Sequence, residues 1–209
     1  LTLSIDSIPE DVYALFDQSK HHEVNDANIE KFGETVKQLM RNALAERKPV
    51  DSPLRFSALG KPDRQLWYAA NLDAKETFSG KTILKFTYGH LIEAMLLFLV
   101  KEAGHVVERE QEEIEVDGVK GHIDAIIDGV TVDVKSASPM SYAKFERGTL
   151  YDSDPFGYIS QISGYSNALT PDEGGAFLAF DKVAGSICVM RVGQSITSRF
   201  DVKKRITHL

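Results

Sequence analysis

The stretch from Gly121 to Ser138, GHIDAIIDGVTVDVKSAS, narrows the folds open to this chain more than any other. Asp128-Gly129 suits a two-residue type I′ hairpin turn, whose central residues both take positive φ. With that turn Ile127 faces Val130, Asp124 faces Asp133, and His122 faces Lys135. Strand alternation puts Ile123, Ala125, Ile127, Val130, Val132 and Val134 on one apolar face. The other face carries His122, Asp124, Asp133 and Lys135, with Ile126 and Thr131 toward the turn. Like charges opposed on a sheet lie about 5 Å apart and repel. One of the two carboxyls must hold a proton unless a cation sits between them. A divalent metal resolves the conflict.

The remaining acid of such a site is found on the most apolar segment. Lys85 to Gly104 reads as a helix with a glycine after its last turn, apolar almost all round from Leu91 to Leu99. His90 and Glu93 stand three residues apart on it and share a face. A carboxylate on a buried helix needs a partner, whether an ion pair, a hydrogen bond or a metal. The apolar run itself is shorter than the roughly 18 residues of a membrane span, so a core helix is expected.

Bulk properties set outer limits. The 209 residues, 43% hydrophobic and 26% charged, are enough for one soluble domain with a substantial core. A single cysteine, Cys188, leaves no disulfide framework, cysteine zinc site or cysteine-ligated iron–sulfur cluster. A reducing, intracellular compartment is expected. The net charge of −7 argues against a generally basic protein that coats nucleic acid, though a local basic groove remains open. No signal peptide is evident at Leu1, and a processed or trimmed chain is the expectation at both ends.

Around this centre the other elements fall into order. Ile8 to Lys20 has weak helical periodicity, and Asn25 or Asp26 caps a second helix expected to end near Lys48-Pro49. A third helix is expected after Pro62, carrying Arg64, Trp67 and Tyr68. It is either an amphipathic helix with Trp67 in the core or a phosphate-contacting arginine beside an aromatic groove wall. Short strands are expected at 105–110 and 112–116, giving a meander of three or four antiparallel strands with the hairpin. Pro139 to Tyr158 is read as a connection whose Tyr142, Lys144, Phe145, Arg147, Tyr151, Phe156 and Tyr158 either touch nucleic acid or form a small surface subdomain. Asp154-Pro155 is expected to start a helix running to Leu169, followed by a hairpin at 174–181 and 186–192.

Phosphodiester hydrolysis needs an activated water, a held phosphate and charge compensation. A carboxylate-held divalent ion with open positions supplies all three. Glu93, Asp124 and Asp133 offer the oxygen ligands that Mg²⁺ or Mn²⁺ prefers, and the Val134 carbonyl is a further candidate. Lys135, on the same strand face as Asp133, is a compact cation for the water or the phosphate.

Glu93 in GHLIE, Asp124 in GHIDA and Asp133-Val134-Lys135 together resemble the PD-(D/E)XK nuclease core. Helix acid, strand acid and then D-x-K on the next strand is similar to that superfamily's αβββαβ scheme. QISGY, from Gln161 to Tyr165, resembles the QxxxY signature of its RecB-like and lambda-exonuclease-like branch. SALGKPDRQLWY is similar to an N-terminal motif of that branch that often holds a cysteine and an arginine. The cysteine is absent here, which argues against an iron–sulfur version.

The resemblance covers roughly residues 53–192 and implies an α/β (α+β), restriction-endonuclease-like core with a central mixed sheet flanked by helices. It implies a nuclease core over 53–209 with an N-terminal helical extension over 1–52, compact as one domain. It further implies a DNA exonuclease acting at ends in recombination, repair or phage DNA metabolism, in the cytoplasm of a bacterial or phage-infected cell. One or two Mg²⁺ or Mn²⁺ ions are implied, with DNA as partner, no membrane, and a homo-oligomer or recombination protein as further company. Gln161 and Tyr165 are implied at the active site, and Ser57, Arg64, Tyr142, Lys144 and Arg147 are candidate DNA contacts. A structure-specific or flap endonuclease on the same core, and a non-catalytic nucleic-acid-binding module, are the alternatives.

Overall fold

A computed structural model describes residues 3–45, 54–71 and 78–207. The hairpin at its centre forms with the expected register as far as Ala125 opposite Val132. Beyond that His122 pairs with Glu113 rather than facing Lys135, and Ile123 leaves the valine face to pack with Phe56 and Tyr165. Asp128 and Gly129 have φ of 49° and 83°, the pair of positive values that a type I′ turn requires. Strands β4 (Ala125–Ile127) and β5 (Val130–Ala137) pair antiparallel with Ile127 opposite Val130 and Ala125 opposite Val132. The turn is tied down from outside. Asp128 accepts the Val106 N–H at 3.0 Å and lies 2.7 Å from Nδ1 of the buried His105, whose Nε2 is 3.3 Å from Asp11.

Five strands form one mixed sheet in the order β1 (Val107–Glu108), β4, β5, β6 (Gly175–Asp181), β7 (Ile187–Val192). Only β5 and β6 run parallel; the other neighbours are antiparallel. The expected antiparallel meander is therefore broken. Strands β2 (Glu113–Val116) and β3 (Val119–His122) leave the main sheet and form a hairpin of their own.

Helices cover both faces of the sheet, and alternation along β5 decides which residues each helix meets. Val130, Val132 and Val134 point to one side, where they pack with Ile92, Leu96, Leu97 and Val100 of α4 (Gly80–Glu102). Ile5, Ile8 and Val12, from α1 (Ile8–Ala14) and the turn before it, belong to that same core. The N-terminal residues are thus built into one compact unit rather than appended to it. Helix α2 (Asp26–Leu44), capped by the Asn25 side chain as expected, lies along α4 without burying any of its own residues. The predicted end of that helix near Lys48-Pro49 lies outside the described residues.

By length and hydropathy α4 would allow a membrane crossing, with a mean hydropathy of 1.6 over its most apolar window. Its C-terminal half packs on the sheet through Ile92, Leu96, Leu97 and Val100.

The opposite face holds α5 (Pro139–Glu146) and α6 (Tyr158–Leu169), with Tyr142, Phe145 and Ile162 packed on Phe177, Ala179 and Met190. Helix α5 replaces the expected connection after Ser138. Ser138 accepts the Ser141 N–H and Pro139 occupies the first turn, so the start signal was present. Helix α6 begins later than Asp154-Pro155. Asp154 still caps it, accepting the Tyr158 and Ile159 N–H groups at 3.0 and 2.8 Å from a loop.

A third core joins the β2–β3 hairpin to α6, with Phe56, Leu59, Ile114, Val119, Ile123 and Tyr165. The expected third helix, α3 (Asp63–Asn71), follows it. The C-terminal helix α7 (Val202–Ile206) seals that core with Val202 and anchors it through Arg205, which donates to the Leu59 carbonyl at 2.9 Å and pairs with Asp63. At Gly121 an added Cβ would collide with the Tyr165 hydroxyl and stand 2.8 Å from Phe56 Cβ. Gly121→Ala is therefore expected to cost about 1–3 kcal/mol through overpacking. Urea unfolding measures this; an unchanged midpoint would mean that the hairpin does not close on Tyr165 in this way.

Candidate active site

The site begins where β4 stops. In a continued ladder the Val134 N–H would bond across to the backbone beside Asp124. Instead the Asp124 carboxylate takes that N–H at 2.6 Å. The freed backbone turns to residues 111–112, with Gln111 N–H bonding the Asp124 carbonyl at 3.2 Å and Ile123 N–H the Glu112 carbonyl at 3.1 Å. The charge of Asp133 still reaches Asp124, whose side chain replaces the main chain of Ile123 in the ladder.

Asp133 projects from β5 toward α6 and is 3% exposed. Lys135 follows it on the same strand face, with Nζ 2.5 Å from Asp133 Oδ2. That oxygen is buried, and among the described residues the Lys135 ammonium is its one charged contact. Lys135 Nζ also lies 4.4 Å from the centre of the Tyr158 ring, a cation–π contact from the first turn of α6. Glu93 arrives from α4, accepts a hydrogen bond from the Gln111 side chain, and lies 3.6 Å from His90 Nδ1.

Electrostatics follow from this crowding. Burial, then the charges of Glu93 and Asp133, push the Asp124 carboxyl well above its ordinary pKa. Burial raises Asp133 too, against the opposing pull of Lys135. Burial alone would lower the Lys135 ammonium, but Asp133 and Asp124 outweigh it and hold it above its usual value. The hydrogen bond to Glu93 raises His90.

Among the described residues no three acids, histidines or cysteines stand in metal-ligating geometry. Each carboxylate has turned to the nearest cation or N–H: Glu93 to Gln111, Asp124 to Val134, Asp133 to Lys135. The donor set nonetheless fits a hard divalent cation. It offers carboxylate oxygens alone, with Asp133 buried, Asp124 partly buried, and the charges of Glu93 and Asp133 opposing ionisation of Asp124. Val134 donates its N–H to Asp124, and its carbonyl, expected as a further ligand, points to the same strand edge.

A cleft of about 730 Å³ opens over Asp124 and Glu93, with Gln161 and Tyr165 on its α6 wall. Tyr165 is buried, stacked on Phe56 at 4.5 Å, and burial pushes its hydroxyl pKa up. Ser57 lines the same cleft, as expected of a DNA contact. Arg64 does not line it; its guanidinium turns to Tyr68, at 5.6 Å over the ring. Arg55 stands there instead, its backbone bridged to Lys120 of β3, and both line the cleft. Trp67 is 46% exposed and is not the core residue of the helix, which is the fully buried Leu66.

The contacts expected after Pro139 divide differently. Tyr142 is a core residue, 6% exposed and hydrogen-bonded to Cys188, because it falls on the inner face of α5. Lys144 Nζ is spent on the Ser153 carbonyl at 3.1 Å, bracing the loop. Arg147 is exposed at the end of α5. Three neighbours of the site carry no signal in the sequence that singles them out: Gln111, Arg55 and Lys120. Gln111 has φ of +54°, a left-handed conformation that no pattern around it signalled. Tyr158, expected among the aromatic residues that touch nucleic acid, instead covers Lys135 from the helical face that it shares with Gln161 and Tyr165.

No family model matches the sequence, and no curated protein matches it. The crystal structure of SSO0001 is similar with a TM-score of 0.43 and 14% identity, over 80% of this chain and 81% of that one.

The raised carboxyl pKa values have a thermodynamic consequence. A carboxyl whose pKa is higher folded than unfolded stabilises the fold below the ordinary value of about 3.9, and that contribution is lost as pH rises through the folded-state value. The metal-free protein is therefore expected to melt at lower temperature as pH climbs through the raised value of Asp124. Mn²⁺ should restore more stability at pH 8 than at pH 5. Thermal melts with and without Mn²⁺ check this; an equal Mn²⁺ effect at both pH values would contradict it.

Proposed function

We propose that this protein is a metal-dependent DNA exonuclease of the PD-(D/E)XK superfamily, in the branch that includes RecB-like and lambda-exonuclease-like enzymes. The observation that carries the reading is the buried set Asp124, Asp133 and Lys135 at the point where β4 gives up its ladder, with Glu93 beside it. The order of elements supports a restriction-endonuclease-like αβββαβ core: α4 with Glu93, the strands with Asp124 and Asp133, α6 with Gln161 and Tyr165, then β6 parallel to β5.

Glu93, Asp124 and Asp133 would hold one or two Mg²⁺ or Mn²⁺ ions. When bound, such an ion lowers the pKa of water and offsets charge on phosphorus. Lys135 does the rest of the electrostatic work from the protein side. Its pKa is held up by two aspartates, so it stays an ammonium at neutral pH and can donate to a phosphate oxygen or orient the attacking water. Tyr158 fixes its direction by covering it. Gln161 and Tyr165 hold each other by a hydrogen bond and present α6 to the strand in the cleft. Arg55 offers the cleft a cation for the phosphates, while Lys120 beside it is paired with Glu113 and Glu115 of the same wall.

The role in recombination, repair or phage DNA metabolism belongs to this proposal, as does the cytoplasm as its setting. Asp133→Ala and Lys135→Ala are each expected to lower Mg²⁺-dependent hydrolysis by about 10²–10³-fold, with circular dichroism unchanged. Activity near the parent's in either variant would remove that residue from the chemistry. Linear DNA should be degraded and covalently closed circular DNA left intact. Equal cleavage of both would overturn action from ends and favour a flap or other endonuclease on the same core.

A further inference from the structure

We infer that Phe156 is a stacking platform for a nucleobase, and that the site takes DNA with an unpaired base beside the phosphate to be cut. The inference rests on the nuclease reading and names its substrate class. Phe156 is 61% exposed and stacks on Tyr158, with ring centres 5.4 Å apart and planes 26° apart. Tyr158 in turn lies over Lys135 Nζ at 4.4 Å. An exposed phenyl thus stands two ring contacts from the cation assigned to the scissile phosphate.

The loop that carries Phe156 is braced on both sides. Asp154 accepts the N–H groups of Tyr158 and Ile159. Gly157, at φ +73°, lies against the backbone of Gly60 so closely that a Cβ on either would collide with the other. Phe156 is therefore held out to solvent by a fixed loop. A large apolar ring held rigidly in water beside a polar site suits a flat partner, because every base has a π-face whatever its sequence.

The base must be unpaired for two reasons. A base inside a duplex has both faces covered by its neighbours. Asp133 and Lys135 are also recessed, with side chains 5% and 18% exposed, so a phosphate has to leave the surface of a duplex to reach them. Single strands and frayed ends meet both conditions.

The test is a cycle between Phe156→Leu and removal of one base. Fluorescence anisotropy would follow binding of short single strands by the full chain, with Ca²⁺ in place of Mg²⁺ to suppress hydrolysis. The strands are either intact or abasic at the terminal nucleotides. Phe156→Leu should weaken binding of the intact strand about tenfold or more, with Phe156→Trp keeping it near the parent's. The abasic strand should bind parent and Phe156→Leu alike. Unchanged affinity for the intact strand, an equal loss on the abasic strand, or a larger loss on a blunt duplex would each overturn the stacking role. Should the parent bind no DNA of any form, the nuclease reading itself would fall.

Discussion

The structure depends on keeping two carboxylates and a lysine together where they are largely shielded from water. Asp133 is 3% exposed, Asp124 has its pKa driven well up by burial and by its acidic neighbours, and Lys135 sits against Asp133. Buried charge of this kind is costly unless it is paired. What offsets that cost is distributed through the fold. The Val134 N–H goes to Asp124, the Tyr158 ring covers Lys135, and Gln111 holds Glu93. Each of these partners arrives from a different element.

The architecture supplies those partners in turn. The type I′ turn sets the register, and His105 with Val106 fixes the turn through Asp128. Once β4 ends, residues 119–124 can leave the sheet, pair with β2, and form the far wall of the cleft. Phe56, Tyr165 and the space at Gly121 lock that wall to α6. Alternation on β5 then decides the division of labour: valines face α4, while Asp133 and Lys135 face α6. A one-residue slip would exchange the two sets.

Much of this was legible in the residues. Asp128-Gly129 specified turn type and register together, because only a few dipeptides tolerate two positive φ values. The apolar run of α4, the Asn25 cap and the final hairpin carried similarly local signals. What stayed hidden depends on distant contacts. The end of β4 is set by a side chain competing for a backbone N–H, and the left-handed Gln111 is held by the Asp124 carbonyl. Tyr142 looked like a nucleic-acid contact by composition, yet the face of α5 it occupies is the one that packs on the sheet. Arg64 and Arg55 could not be told apart without knowing which of them meets β3.

The account stands on Glu93, Asp124 and Asp133 acting as one cation site, although each now leans on a different protein group. The most direct measurement is anomalous diffraction from a crystal soaked in Mn²⁺. The account predicts a peak among these three carboxylates, with Asp133 turned away from Lys135. A peak elsewhere in the molecule, with these three still bonded to Gln111, Val134 and Lys135, would contradict it.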